Sequence, residues 1–319
     1  MPLPTLAELE AAAEIIRPVM APTPVISWPL LSRRAGTEVW VKHENHTPIG
    51  AFKIRGGLVY VDRLLRARPE PRGLIAATRG NHGQSVALAA RRAGLRAVIV
   101  VPTGNSLSKN AAMRALGAEL REEGADFQAA LEQAVVCAER EGLHMVPSFA
   151  SDLVAGVGTV GLEFLRAVAL DSVYVPIGMG SGVCGMIAAR DALRVSTEVI
   201  GVVAAGAPAY ANSYAARRPL PFPSASTLAD GMACRTPDPV ALDHMLRGVA
   251  RVVTVEEAEI RAAMRHFFTD THNLAEGAGA AGLAALLKER ERMAGRRIGL
   301  ILTGGNVDRE LYSSVLAES

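Results

Sequence analysis

The chain has 319 residues, half of them apolar and 21% charged, which is ample material for a packed core and unlike the composition of a disordered chain. Lys and Arg total 34 against 32 Asp and Glu, a net charge of +2, and no run of basic and aromatic residues offers a nucleic-acid surface. Cys137, Cys184 and Cys234 stand too far apart for a CxxC pair, the N-terminus lacks the basic-then-apolar order of a signal peptide, and no apolar run reaches membrane-helix length. These features exclude a disulfide scaffold and a membrane partner, and they lead us to expect a cytoplasmic protein.

Short β-branched runs alternate with longer alanine-rich amphipathic ones. In chain order, strands are expected at 38–42 and 73–77, a helix at 83–93, a strand at 97–101, a helix at 126–141 and a strand at 143–147. A helix at 157–169, a strand at 172–177, a helix at 183–194 and strands at 199–204, 250–255 and 298–303 follow. Strands separated by helices of this length imply βαβ units and a mostly parallel sheet, so the fold class is α/β. The strand over 98–101 is apolar throughout, as a parallel strand covered on both faces requires. The stretch 217–239 is proline-rich and poorly periodic, and a loop of that length is expected to serve the site, for instance by closing it.

Three glycine-rich turns lie where strands give way to helices. The first, Thr78-Arg79-Gly80-Asn81-His82-Gly83-Gln84-Ser85, follows a strand's carboxyl end, where α/β sheets place ligands. Its glycines permit close approach and the next helix offers free N–H groups, which suits a small carboxylate or a phenolic oxygen. An ordinary strand–helix connection is the alternative. The second, Gly178-Met179-Gly180-Ser181-Gly182, forms a nest of N–H donors that fits a phosphate dianion. It also overlaps a GxGxxG pattern over 180–185, but the strand that follows ends on Ala204, Ala205 and Gly206 with no acid to hold a ribose. The third, Thr303-Gly304-Gly305-Asn306-Val307-Asp308, puts a hydroxyl at a strand end. Lys53, flanked by Phe52 and small residues, has the surroundings of a desolvated, Schiff-base-forming lysine, although a lysine taken alone is usually a solvated charge. No HExxH, GxSxG or GxxxxGK[ST] occurs, so zinc-peptidase, serine-hydrolase and P-loop chemistries lack support.

Taken together, the segments 42–57 (KHENHTPIGAFKIRGG), 78–85 (TRGNHGQS), 156–161 (GVGTVG), 175–182 (VPIGMGSG), 229–231 (ADG) and 303–308 (TGGNVD) resemble the pyridoxal 5'-phosphate (PLP) enzymes of fold type II, specifically the serine/threonine dehydratase family. The resemblance runs from about residue 15 to the end. It implies two open αβα lobes with mostly parallel sheets and PLP in the cleft between them. Residues 1–63 and 146–319 would form the large PLP-binding domain, and 64–145 a small inserted one. It further implies that Lys53 bonds the cofactor, Phe52 packs on its ring, Asn81 meets its phenolic oxygen, and Thr303 meets its ring nitrogen. Gly178, Met179, Gly180, Ser181 and Gly182 would wrap the phosphate. Thr78, Arg79 and the N–H groups of Gly80, Asn81 and His82 would seat the substrate. The implied activity is an ammonia-lyase acting on a small-molecule β-hydroxy-α-amino acid, threonine or serine first, in a homo-dimer or tetramer. A racemase or β-replacement enzyme on the same fold, or a non-catalytic PLP-binding homologue, is the alternative.

The sequence departs from that family in three places. Arg79 stands where family dehydratases carry a small residue, and a guanidinium, which keeps its proton, is a poor acid–base group, which argues against racemase activity. It either reads a second carboxylate, as in a hydroxyaspartate, or points to solvent or a structural acid. The stretch 203–211, where several relatives bind a divalent cation, has no carboxylate, so no metal is expected there. The few residues after 308 leave no room for an effector domain, so feedback inhibition by a branched-chain amino acid is not expected.

Overall fold

The computed structural model describes residues 1–67 and 71–318. It opens with helix α1 (Leu6–Ile16), strand β1 (Val25–Ser27), α2 (Pro29–Ala35), β2 (Glu38–His43) and α3 (Lys53–Ala67). Next come β3 (Leu74–Ala77), α4 (Asn81–Arg92), β4 (Ala97–Val101), α5 (Leu107–Ala115), β5 (Glu119–Glu122), α6 (Phe127–Glu141) and β6 (His144–Met145). The rest is α7 (Ser151–Ala167), β7 (Ser172–Pro176), α8 (Ser181–Leu193), β8 (Glu198–Ala204), α9 (Ala209–Ala216), α10 (Pro239–Gly248), β9 (Val249–Val255), α11 (Glu257–Thr271), α12 (Gly277–Lys288), β10 (Arg297–Leu302) and α13 (Arg309–Leu316).

The strands form two sheets. One has six strands in the order β1-β2-β10-β7-β8-β9, and the other has four in the order β5-β4-β3-β6. All pairings are parallel except that of the edge strand β1 with β2. The α/β class and the mostly parallel sheets are as the alternating pattern requires. Every residue of β3, β4 and β7 is buried, because helices cover both faces of each sheet. The first expected domain boundary falls inside α3, and the second lies just after β6.

Two strands lie outside the sequence expectation, and both are edges. β1 has only three residues, and β5 reads Glu-Leu-Arg-Glu with both ends exposed. Charge on an edge strand blocks pairing with another chain, and it also erases the apolar pattern by which a strand is read.

The segment 156–161 proves to be a packing device. A Cβ on Gly156 would lie 2.3 Å from the Arg55 carbonyl oxygen, and one on Gly185 would lie 2.9 Å from the Gly158 Cα. The glycines therefore let α7 touch the backbones of both α3 and α8. Along the same contact runs a buried ionic cluster. Arg55 donates to Glu44 from Nε (2.7 Å) and Nη2 (2.8 Å), and to Glu163 from Nη1 (2.6 Å) and Nη2 (2.8 Å). Lys42 donates to Glu163 (2.5 Å) and to the Thr23 carbonyl (2.8 Å). Arg55, Glu44 and Lys42 have no exposed surface.

Removing one partner from such a cluster leaves buried carboxylates uncompensated. Arg55→Met is therefore expected to lose about 3–5 kcal/mol of unfolding free energy. A urea titration would measure it, and an unchanged midpoint would show that the cluster is not structural.

Candidate active site

The site forms where the carboxyl ends of strands from both sheets meet, because parallel strands all deliver their following loops to one side. β3 runs into 78–82, β7 into 178–182, β10 into Thr303, and β2 leads to the turn before Lys53. These segments line a cleft with about 940 Å³ of open space. Every residue given a cofactor or substrate role from the sequence lines it: Phe52, Lys53, Thr78 to His82, Gly178 to Gly182 and Thr303.

Lys53 is the first residue of α3, and its loop is stitched to the end of β10. Phe52 N–H donates to the Thr303 carbonyl (2.9 Å), Gly305 N–H donates to the Gly50 carbonyl (3.0 Å), and Ala51 bridges Gly304. Ser85 Oγ donates to the Lys53 carbonyl (2.6 Å). The Lys53 ammonium sits 5.2 Å from the Phe52 ring centroid and donates to Ser181 Oγ (3.2 Å). Burial without a carboxylate partner lowers its pKa to about 8.

Two helices with glycine at their N-caps point their N-termini into the cleft. The residue before each helix is a glycine, Gly180 at α8 and Gly80 at α4, with no side chain of its own to cap it, so N–H groups of the first turns stay free for an anion. At α8, Gly180 adopts φ +98°, and a Cβ on Gly178 would lie 2.2 Å from the Gly231 carbonyl oxygen. At α4, Thr78 Oγ1 accepts from Gly80 N–H (2.9 Å) and Gly83 N–H (3.3 Å). The Gly80 N–H, expected to face substrate, is thus engaged within the loop. The Thr78 hydroxyl proton and the N–H groups of Asn81 and His82 remain. His82 is held neutral, its pKa lowered to about 4 by burial and then by Lys53, and its Nε2 has no hydrogen-bond partner. Arg79 is exposed at the mouth.

The structure adds residues that no motif revealed. Lys109, from α5, lies under Gly80 and reaches Asp230 (2.5 Å) and Glu276 (3.5 Å). Burial works against the Lys109 ammonium, but Glu276 and Asp230 more than offset it and hold its pKa above the ordinary lysine range. Burial raises Glu276 above the usual carboxylate range, with Lys109 opposing. Asn81 Nδ2 donates to Glu276 Oε1 (2.7 Å). Tyr210, buried behind the glycine turn, donates to the Met179 carbonyl (3.0 Å) and accepts from Asp238 N–H (3.0 Å). Lone acids, lysines and tyrosines carry no spacing signal, so only tertiary placement reveals them.

A family model described as "Pyridoxal-phosphate dependent enzyme" matches residues 16–304. The chain belongs to this family. Its members depend on PLP, and the donor set fits that cofactor: an enclosed amine, a glycine-built N–H nest for a phosphate, and a hydroxyl at Thr303. The PLP-dependent chain is 33% identical over 314 residues to the L-threonine ammonia-lyase of Thermotoga maritima, covering 98% of this chain and 78% of that one. It is 31% identical over 318 residues to the L-threo-3-hydroxyaspartate ammonia-lyase of a Pseudomonas species, covering 99% of each. Against the biosynthetic L-threonine dehydratase of Haemophilus influenzae it is 31% identical over 290 residues and spans 56% of that protein's length. Among solved structures, the processed form of threonine deaminase isoform 2 from Solanum lycopersicum superposes with a TM-score of 0.89 at 28% identity, covering 99% of this chain and 95% of that one. Maize serine racemase gives 0.92 at 29%, covering 98% and 97%. Among the described residues, no helix is long and apolar enough to cross a membrane, and no group of three or more His, Cys, Asp or Glu side chains is placed to hold a metal ion.

Tyr210 ties the glycine turn to the start of α10. Tyr210→Phe leaves the Met179 carbonyl and the Asp238 N–H without that partner, and is expected to cost about 1–3 kcal/mol. Denaturant unfolding with and without PLP would measure it; equal stability of the two proteins would rule out the tie.

Proposed function

We propose that the protein is a PLP-dependent ammonia-lyase that converts a small β-hydroxy-α-amino acid, threonine or serine, to a 2-oxo acid and ammonia. The observation that carries the reading is the enclosed Lys53 amine between two helix N-termini that begin on glycine, one suited to a phosphate and the other to a carboxylate. Whole-length similarity to proteins named as ammonia-lyases supports it. In this reading residues 1–63 and 146–319 form the PLP-binding unit, 64–145 the inserted one, and the assembly is a homo-dimer or tetramer, as the family resemblance implies.

When bound, PLP supplies a conjugated ring that accepts the electrons left at Cα when its proton departs. The chain's residues do the rest. The N–H groups at the start of α8 hold the phosphate, and Phe52 covers the ring. Thr303 offers a neutral hydroxyl to the ring nitrogen, so no carboxylate stabilises a proton there. The Thr78 hydroxyl and the N–H groups of Asn81 and His82 hold the substrate carboxylate. Lys53 Nζ takes the Cα proton as general base, for which a pKa near 8 is well placed. The β-hydroxyl then leaves with a proton as water, the β-carbon takes up a proton as the amine nitrogen gives one up, and addition of water at Cα releases ammonia and the 2-oxo acid.

A second reading of the substrate rests on Arg79. It lines the cleft, no hydrogen bond or ion pair engages it among the described residues, and its guanidinium suits a second carboxylate. L-threo-3-hydroxyaspartate is therefore the next substrate to test.

Only a neutral amine adds to the PLP aldehyde. Covalent loading of apoprotein should thus speed up about ten-fold per pH unit below pH 8 and level off above it. Absorption would follow the loading, with 2-oxo acid and ammonia assayed after adding each amino acid. Lys53→Ala should abolish both the near-visible band and turnover. A loading rate that keeps rising toward pH 10 would show an ordinary lysine, and full turnover by Lys53→Ala would overturn the assignment.

A further inference from the structure

Asn306 lies in the turn after β10, and its side chain joins the two halves of the cleft. Its Nδ2 donates to the Ile49 carbonyl (2.8 Å) and to Asn81 Oδ1 (2.8 Å). A main-chain carbonyl only accepts, so the Ile49 bond fixes which end of the Asn306 amide faces this way. Asn81 must then turn its oxygen toward Asn306. Its nitrogen is held from the other side by Glu276 Oε1 (2.7 Å), a carboxylate that Lys109 in turn faces at 3.5 Å. One Asn81 N–H is left over, on a residue that lines the cleft. The same side chain accounts for Gly50. That residue sits at φ +65°, and a Cβ there would lie 2.9 Å from Asn306 Oδ1. One amide thus touches the loop that presents Lys53 and the helix that presents Asn81.

We propose that Asn306 and Glu276 are positioning residues that lock the Asn81 amide nitrogen-first toward the cleft, so that Asn81 meets the phenolic oxygen of PLP as a hydrogen-bond donor. This rests on the reading of the cleft as a PLP site. A donor there stabilises the ionised phenol, whereas a carbonyl oxygen in its place disfavours it. Without Asn306 or Glu276 the amide can turn over, and its oxygen can face the ring.

The test uses the full chain loaded with PLP, with Asn306→Leu, Asn306→Ser, Glu276→Leu and Glu276→Gln. The readouts are the ratio of near-visible to near-ultraviolet cofactor absorption across pH and the PLP dissociation constant, with circular dichroism as a check on folding. In the two Asn306 variants and Glu276→Leu, intensity is expected to move to the near-ultraviolet band, and PLP affinity to fall about ten-fold, the size of one lost buried hydrogen bond. Glu276→Gln keeps an acceptor for the Asn81 nitrogen and is expected to retain the parent's spectrum. Asn306→Ser covers the case in which Asn306→Leu does not fold. Folded variants with the parent's band ratio and affinity would overturn the proposal even if turnover fell. A parent that binds no PLP would instead overturn the reading of the site, and the proposal with it.

Discussion

The geometry of the cleft depends on a cluster of charges that never meets substrate. Arg55 carries five donors in a rigid fork, and the two carboxylates it grips come from the segment after β2 and from α7. Lys42 and Thr23 complete the set, so two cations face two anions with no surface exposed on three of them. Such a cluster adds little net stability over a well-packed apolar core, since desolvation offsets the attraction. Its geometry, however, is unforgiving. It admits one rotation and one register of α3 against α7, and Lys53 begins that same helix two residues earlier. The arginine of the FK-x-RG segment thus determines where the lysine points, without taking part in the chemistry.

The second constraint is that the two sheets must meet across the cleft. Polar contacts hold them together: Lys109 with Asp230 and Glu276, Arg235 with Asp126, and Ser106 and Ser108 with Asp308. Asp126 also caps α6, and Ser106 caps α5, so the ends of these helices are tied to the facing loops. The stretch 217–239 supplies Asp230 and Arg235, and between them Gly231, Met232, Ala233 and Cys234 line the cleft. Its irregular backbone follows from this. The Gly231 carbonyl packs on Gly178, and the Phe222 N–H bonds the Arg235 carbonyl, so the stretch doubles back on itself beside the glycine turn.

This division explains what was legible in the sequence. Buried parallel strands such as Ala97–Val101 must be apolar on both faces, and loops that expose N–H groups at helix starts must be rich in glycine. Both demands leave a local pattern, so the class of fold and the residues around 53, 81, 178–182 and 303 could be read. Edge strands such as Glu119–Glu122 have no covered face to reveal them. The glycines of 156–161 were legible as a segment shared with the family, but not their role, which is to bring α7 against α3 and α8. Glu276 and Lys109 act across more than a hundred residues of chain, and Tyr210 across 31 and 28, where spacing carries no information. Even the Thr78 loop was only partly legible, since the threonine hydroxyl takes up the Gly80 N–H that spacing alone leaves free.

The two lysines of the cleft show how one residue type is set to opposite tasks. Both are enclosed, and burial alone lowers the pKa of each. Lys109 faces Asp230 and Glu276, whose attraction exceeds the desolvation it suffers, so it stays charged. Lys53 faces a serine hydroxyl and an aromatic ring, and no acid opposes its desolvation. The acids that might have charged it are taken by Lys109, and Glu44 and Glu163 by Arg55. An amine with a pKa near 8 is therefore obtained by committing the neighbouring carboxylates elsewhere. A charge on Lys109 also keeps Glu276 from retreating fully to its neutral form, and Glu276 holds the Asn81 nitrogen. The pairing that leaves Lys53 free to react is the same pairing that orients Asn81 beside it.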